Sequence, residues 1–169
     1  MKQLRSLVLA TLLVVGAVSF GEAQGKIAHI NTQELIEAMP EMKTAQAEIE
    51  KLGKTYETEI QGSLTELQNK AKQYQAEAEG QTQEENEKRA LEIDGMRQSI
   101  AQYQQQAQQD IEKKKFDLLK PITDKAKAAI QKVARAQGFE YVLDSTVGGG
   151  VILADGKDLM ADVKKELGF

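Results

Sequence analysis

The chain has 169 residues, 26 acidic and 22 basic side chains, a formal charge of −4, one histidine and no cysteine. That balance argues against nucleic acid as the main partner, because phosphate binding needs clustered positive charge; without cysteine there are no disulfides, and a single histidine leaves carboxylates to hold any metal. Aromatic content is 5% with no tryptophan, thin for a compact core, whereas Gln, Glu, Lys and Ala dominate the middle of the chain, the composition of long helices.

The start reads as a secretory signal peptide. Lys2 and Arg5 form a basic opening, Leu7 to Phe20 an apolar and small-residue run, and Gly21-Glu22-Ala23 a small-x-small cleavage signal. The apolar run is shorter than the ~20 residues of a membrane span. Residues 1–23 are therefore expected to be removed, the mature chain to begin near Gln24, and the protein to work outside the cytoplasm with no stable membrane insertion. No cysteine stands at the cleavage site, so a lipid-anchored form is excluded.

KIAHIN, Lys26 to Asn31, predicts a short strand with Ile27, Ala28 and Ile30 as its apolar residues. Asn31 or Thr32 is placed to cap a short helix over 33–38, which Met39-Pro40 interrupts. From Glu41 the apolar positions Ile49, Leu52, Tyr56, Ile60, Leu64, Leu67, Ala71, Tyr74 and Ala78 recur every three or four residues. That spacing is a coiled-coil seam with a stutter near Ile60. The helix over 41–79 would be about 58 Å long at ~1.5 Å per residue.

Gly80-Gln81-Thr82 reads as a hairpin tip, with Thr82 and Glu85 at capping-box spacing. A second long helix returns through Ile93, Ile100, Tyr103, Ala107, Ile111, Leu118, Ile122, Ala126, Ala129, Val133 and Ala136, and Gly138 ends it. Residues 102–109 are rich in glutamine and carry no charge. Pro121 inside this helix is expected to kink it and to mark where the hairpin meets a compact body. Gly62 and Gly95, at similar heights on the two arms, are candidate soft hinges together with Pro121; each glycine costs ~1 kcal/mol relative to alanine inside a helix.

The remainder reads as strand, turn, strand, helix. EYVLDS, Glu140 to Ser145, is a buried-strand run; VILA, Val151 to Ala154, a second strand; Asp155-Gly156 a turn; and Asp158 the cap of a final helix carrying Leu159, Val163 and Leu167. Three short strands are the minimum for an independent sheet, and unpaired edges invite pairing with copies of the same chain. Ile27, Ile30, Val142, Leu143, Val151, Ile152 and Leu153 are the expected oligomer interface. Leu52, Tyr56, Ile60, Leu67, Tyr74, Ile93, Ile100 and Tyr103 are expected on the arm seam or facing a bound client.

KIAHIN, the long hairpin, LKPITDKAKAAIQKVARAQGFEYVLDS and GGVILADGKDLMADVKKEL together resemble the Skp/OmpH family of periplasmic chaperones, over essentially the whole mature chain. The resemblance implies a homotrimer with a small β body and three helical hairpins around a cavity. It also implies capture of unfolded outer-membrane β-barrel proteins without ATP or any other cofactor. Basic arms are implied as well, and here the sequence departs: residues 41–80 hold eight glutamates against five lysines. No lipopolysaccharide site is carried over.

Other motifs carry less. GVILADGK, Gly150 to Lys157, superficially resembles a phosphate loop, but it is one residue too long and places Asp158 where Ser or Thr would hold magnesium. His29 alternates with apolar neighbours and has no nucleophile or metal partner in sequence. Lys113, Lys114 and Lys115 read as a solvated helix face, and Glu84, Glu85 and Glu87 as the acidic start of a helix. The fold class expected is α+β, mainly α: a long antiparallel helical hairpin (41–120, tip near Gly80) projecting from a small oligomerising β body (24–40 with 121–169). The function expected is a holdase chaperone; the alternative is a non-catalytic envelope coiled-coil scaffold or tether, and an enzyme ranks last.

Overall fold

The structure, a computed structural model, describes residues 26–169. The expected signal peptide and mature start at Gln24 lie outside the described residues. In chain order the elements are β1 (Ile27–Ile30), α1 (Thr32–Ala38), α2 (Pro40–Glu77), α3 (Gln83–Ala136), β2 (Tyr141–Asp144), β3 (Lys157–Asp158) and α4 (Met160–Leu167). A 3-10 turn, Ala78–Gly80, follows α2. The described chain is mainly helical with a small strand body, as the sequence predicts. It divides into two compact units, one of 26–33 with 128–168 and one of 34–127.

In the first unit the three strands lie in the order β2-β1-β3, with β1 parallel to both neighbours. Ile27 to Ile30 stand opposite Tyr141 to Asp144, and Ala28 and His29 opposite Lys157 and Asp158. The main chain extends this ladder: Glu140 and Tyr141 donate to the Lys26 carbonyl, Ser145 to that of Ile30 and Leu159 to that of His29. Side chains alternate across a strand, and the burial follows. Ala28 and Ile30 are buried, as are Leu159 and Val163 at the α4 end and Ala129, Val133 and Ala134 on α3. Ile27, Tyr141 and Leu143, on the other face, are 49%, 63% and 45% exposed.

Three sequence expectations need correction here. EYVLDS is not a buried run, because only one face of this small sheet is covered. Val151 to Ala154 form no strand; β3 is instead Lys157–Asp158. Strand composition alone does not make a strand, and the sheet of the described residues, ordered β2-β1-β3, includes no pairing of VILA with any of its strands. Asp158 therefore lies in a strand, although its carboxylate still accepts the Met160 N–H at 2.8 Å at the start of α4.

The beginning of α1 is bonded from the far end of β2. Asp144 accepts the Thr32 N–H at 3.2 Å and the Thr32 hydroxyl at 2.6 Å, while Thr146 Oγ1 accepts the Gln33 N–H at 3.3 Å. Thr146 in turn donates its N–H (3.0 Å) and hydroxyl (2.7 Å) to Asp144. Carboxylate oxygens at a helix start satisfy amides that have no partner within the helix. Burial opposes ionisation of Asp144, but the bonds from Thr32 and Thr146 outweigh it and hold its pKa down at about 2.

In the second unit Met39 is extended (φ −65°, ψ 133°) and Pro40 opens α2 at a position where its missing N–H costs nothing. Thr82 Oγ1 accepts the Glu85 N–H at 3.2 Å, the capping bond expected at the start of α3. Helix α3 continues through Pro121 without a break. It ends as the sequence predicts: Gly138 is left-handed (φ 79°), Phe139 donates to the Ala134 carbonyl and Gly138 to that of Arg135, the two bonds of a Schellman motif.

The folded pKa of Asp144 lies below its ordinary 3.8, so the stability it contributes is present above about pH 4 and is lost as pH falls toward 2. Asp144→Asn keeps the shape and removes the charge. Thermal melts followed by circular dichroism should show it less stable than the parent at pH 7, with the gap closing by about pH 2. A constant gap at all pH values would contradict this account.

Candidate functional site

Helices α2 and α3 form an antiparallel pair in which contact partners descend along one helix as they rise along the other. Glu41 meets Lys125, Glu48 meets Lys114 at 2.9 Å, Glu59 meets Tyr103, Lys70 meets Glu92, and Glu77 meets Arg89 at 2.9 Å. The predicted seam faces inward. Ile100 is buried, and Leu52, Tyr56, Ile60, Leu67, Tyr74, Ile93 and Tyr103 are half-buried. A two-helix arm has only one flank on which to cover a side chain, so partial burial is the most most of these positions attain.

The polar partners on the seam were not legible in the apolar spacing. Tyr56 donates to Asp110 at 2.8 Å, Tyr74 to Glu92 at 2.6 Å, and Tyr103 to Glu59. Each phenol buries its ring against the opposite helix while its hydroxyl reaches a carboxylate there. The Tyr56 and Tyr103 rings meet edge to face at 5.7 Å and 63°. Near the tip the Arg89 guanidinium lies 4.6 Å from the Tyr74 ring centre, and its nitrogens bond Glu77 and Glu85. Asn86 donates to the Ala78 carbonyl at 3.0 Å. Arginine over a tyrosine face with carboxylates at its edge satisfies both its charge and its donors.

These pairs shift titration. The hydrogen bond from Lys70, then that from Tyr74, holds the Glu92 carboxyl below its ordinary 4.5. Donation to Glu59, and then desolvation, pushes the Tyr103 phenol up to about 12. Lys125 lowers Glu41, and Gln73 followed by Arg89 lowers Glu77. Of the lysine run 113–115, Lys114 bridges to Glu48 on α2, and Lys115 pairs with Glu112 along its own helix. Ala45, Leu118, Pro121 and Ile122, together with Glu41, Thr44, Glu48 and Lys125, line an open groove of about 330 Å³.

The hinge candidates all lie within continuous helix. A Cβ added at Gly62 or Gly95 would meet nothing within 4 Å. The two glycines are not at the same height. Gly95 is three residues beyond Glu92, whose partners are Lys70 and Tyr74, whereas Gly62 is three beyond Glu59, whose partner is Tyr103.

In the sheet unit, Ile30 is 1% exposed and fills the chain's own core, which removes it from the expected interface; Val142 and Val151 are half-buried. Ile27 and Leu143 remain on the surface, joined by Tyr141, which the sequence reading missed although its alternation with Val142 signals it. Ile152 and Val147 are fully exposed and Leu153 is three-quarters exposed. His29 meets Ser145 Oγ at 3.2 Å through Nδ1, a contact internal to the sheet. Among the described residues no polar or charged side chain is buried.

The OmpH-like outer membrane protein family model matches residues 26–167, which include the strands and both long helices. The chain belongs to the OmpH-like family. Relatives across nearly their full length are the chaperone protein Skp of Yersinia enterocolitica, 29% identical over 94% of this chain and 95% of that protein, and the Skp of Photorhabdus laumondii, 28% identical over 94% and 93%. A crystal structure of an OmpH-like protein from Caulobacter crescentus shares the fold with a TM-score of 0.76 at 22% identity, covering 87% of this chain and 86% of that one. In this OmpH-like chain no described helix is long and apolar enough to cross a membrane.

Two outcomes follow for the arm. Glu41, Glu77 and Glu92 have folded pKa values below the ordinary carboxylate value, so their contribution is present above it and lost as pH falls through the folded value. Amide exchange in α2 and α3, corrected for the intrinsic pH effect, should therefore accelerate between about pH 6 and pH 3; unchanged protection would contradict the polar seam's role. Gly62→Ala with Gly95→Ala should slow exchange in both helices, since each change favours helix by up to ~1 kcal/mol and meets no obstruction.

Proposed function

We propose that this protein is a periplasmic, ATP-independent holdase that binds unfolded outer-membrane β-barrel proteins and keeps them from aggregating. The observation that carries the reading is the family match over 26–167, spanning both the sheet unit and the long helix pair. The relatives' name, chaperone protein Skp, supports the chaperone role and a non-catalytic one. The physical properties of the arm agree with it. Its apolar seam is thin and its helices are joined largely by exposed polar pairs, so its walls can yield to an irregular client. An unfolded barrel strand exposes apolar side chains and unpaired backbone and aggregates without cover. Many weak contacts hold such a chain and release it without fuel.

The same reading includes a homotrimer assembled through the sheet unit. Its support is the exposed face of Ile27, Tyr141 and Leu143 together with Ile152 and Leu153, apolar residues that a second copy would cover. A coiled-coil scaffold would instead need a stiff, strongly apolar seam, which this arm lacks.

The test dilutes a urea-unfolded outer-membrane barrel protein into buffer with residues 24–169 and no nucleotide. Light scattering should be suppressed, and the soluble complex should contain three copies of this chain by mass. Unchanged aggregation by a folded protein would reject the holdase. Leu143→Asp and Ile152→Asp should each yield smaller species in sedimentation, whereas intact oligomers for both would reject the interface.

A further inference from the structure

His29 is the single histidine of the chain, and it stands on β1, the middle strand of the sheet. Alternation along β1 sets it on the same side as Ile27, away from the covered side of Ala28 and Ile30. The strand register puts Tyr141 and Leu143 of β2 beside Ile27 and His29, and Asp158 of β3 beside His29. The open face of the sheet is thus an apolar patch of Ile27, Tyr141 and Leu143 with one imidazole at its centre.

His29 Nδ1 lies 3.2 Å from Ser145 Oγ. A hydroxyl donates to a neutral ring nitrogen and accepts from a charged one, so this bond holds the ring in either state. On its other flank the ring has only the bare backbone of Gly156, where a Cβ would stand 4.0 Å from Cδ2. The charged groups around it already have partners or lie in water. The Asp158 carboxylate takes the Met160 N–H at 2.8 Å, and Asp144 is held by Thr32 and Thr146. Lys26 pairs with Glu140 and Lys157 with Asp162, and Asp155 is exposed. In the separated chain a protonated His29 therefore has water and, across the strand pair, the Asp158 carboxylate to favour it.

On the homotrimer reading above, other copies of the chain cover this face. The outer edges of β2 and β3 have no strand beside them among the described residues, so the same sheet of another copy continues the ladder and covers the apolar patch in one contact. We propose, resting on that reading, that His29 makes the assembly pH-sensitive: in mild acid the protonated ring carries a charge into the apolar contact between copies and separates them. Histidine is the side chain whose ordinary range places its charge change between about pH 5 and pH 8. Covering the face replaces water around the ring with Ile, Tyr and Leu side chains, which accept a neutral imidazole far more readily than a charged one. Each copy brings one such ring, so the penalty recurs at every symmetry-related contact.

The full mature protein, without client, is sedimented over a concentration series at about pH 7.5 and pH 5.5 at one ionic strength. The parent should assemble at the higher pH, and the concentration needed for assembly should rise by at least about tenfold at the lower one, the scale of one proton per copy expelled from the contact. His29→Gln and His29→Asn, neutral at both pH values, should assemble alike at both. His29→Lys, charged at both, should remain separated at both with the helix content of the parent. The amino terminus also titrates in this range, but it is common to all four proteins and cannot produce the difference between them. Assembly of the parent that is unchanged or tightened at pH 5.5, a neutral variant with the parent's pH dependence, or His29→Lys assembling as the parent does at pH 7.5 would overturn the role of His29 while leaving the trimer reading intact. A parent found as single copies at pH 7.5 at every concentration would overturn both.

Discussion

The parallel pairing of β1 with β2 is the constraint on which the rest of the structure depends. Parallel neighbours cannot be joined by a tight turn, because the chain must return to the starting end of the sheet. Here everything from residue 31 to residue 140 is that return connection. It leaves through α1 and α2, reverses at the tip and comes back along α3. Helix α3 has 54 residues against 38 in α2, and the surplus carries the chain on to the start of β2. Its last turns, with Ala129, Val133 and Ala134, also cover the apolar face of the sheet unit. One helix thus serves in both units.

The arm is a compromise between holding together and burying little. Two helices alone cannot enclose a core, so tyrosine, arginine and carboxylate side chains supplement the apolar seam. Each exposed pair contributes little by itself, and an amphipathic tyrosine contributes through its ring more than its hydroxyl. Such a seam fixes the register of the helices through specific cross-helix partners. The carboxylates in that seam make the arm sensitive to pH in a way a leucine seam would not be.

Much of this was legible from sequence because it depends on local rules. Three- and four-residue spacing identified both long helices and the inward position of Ile100 and Tyr103. Pro40 and Gly138 marked helix ends through their own backbone restrictions, and Thr82 through its capping hydroxyl. The misreadings came where a partner decides. VILA has strand composition, yet a strand exists only against a partner, and it pairs with none of the three described strands. Tyr141 and Leu143 looked buried because an apolar run does not say how many faces of its sheet are covered. Ile30 was assigned to a surface but belongs to the interior for the same reason. Gly62 and Gly95 seemed level when counted from the tip, and the helix register places them apart.

The sequence by itself determined the mainly helical class, the hairpin with its turn at Gly80, the helix ends and the family, since these follow from periodicity, capping and residue order within the chain. Only the tertiary structure decided which residues form the third strand, which face of the sheet stays open, and which carboxylate each tyrosine and arginine of the arm reaches. Those outcomes depend on groups more than a dozen residues apart competing for the same hydrogen bonds and the same apolar cover, and no local pattern records who wins that competition.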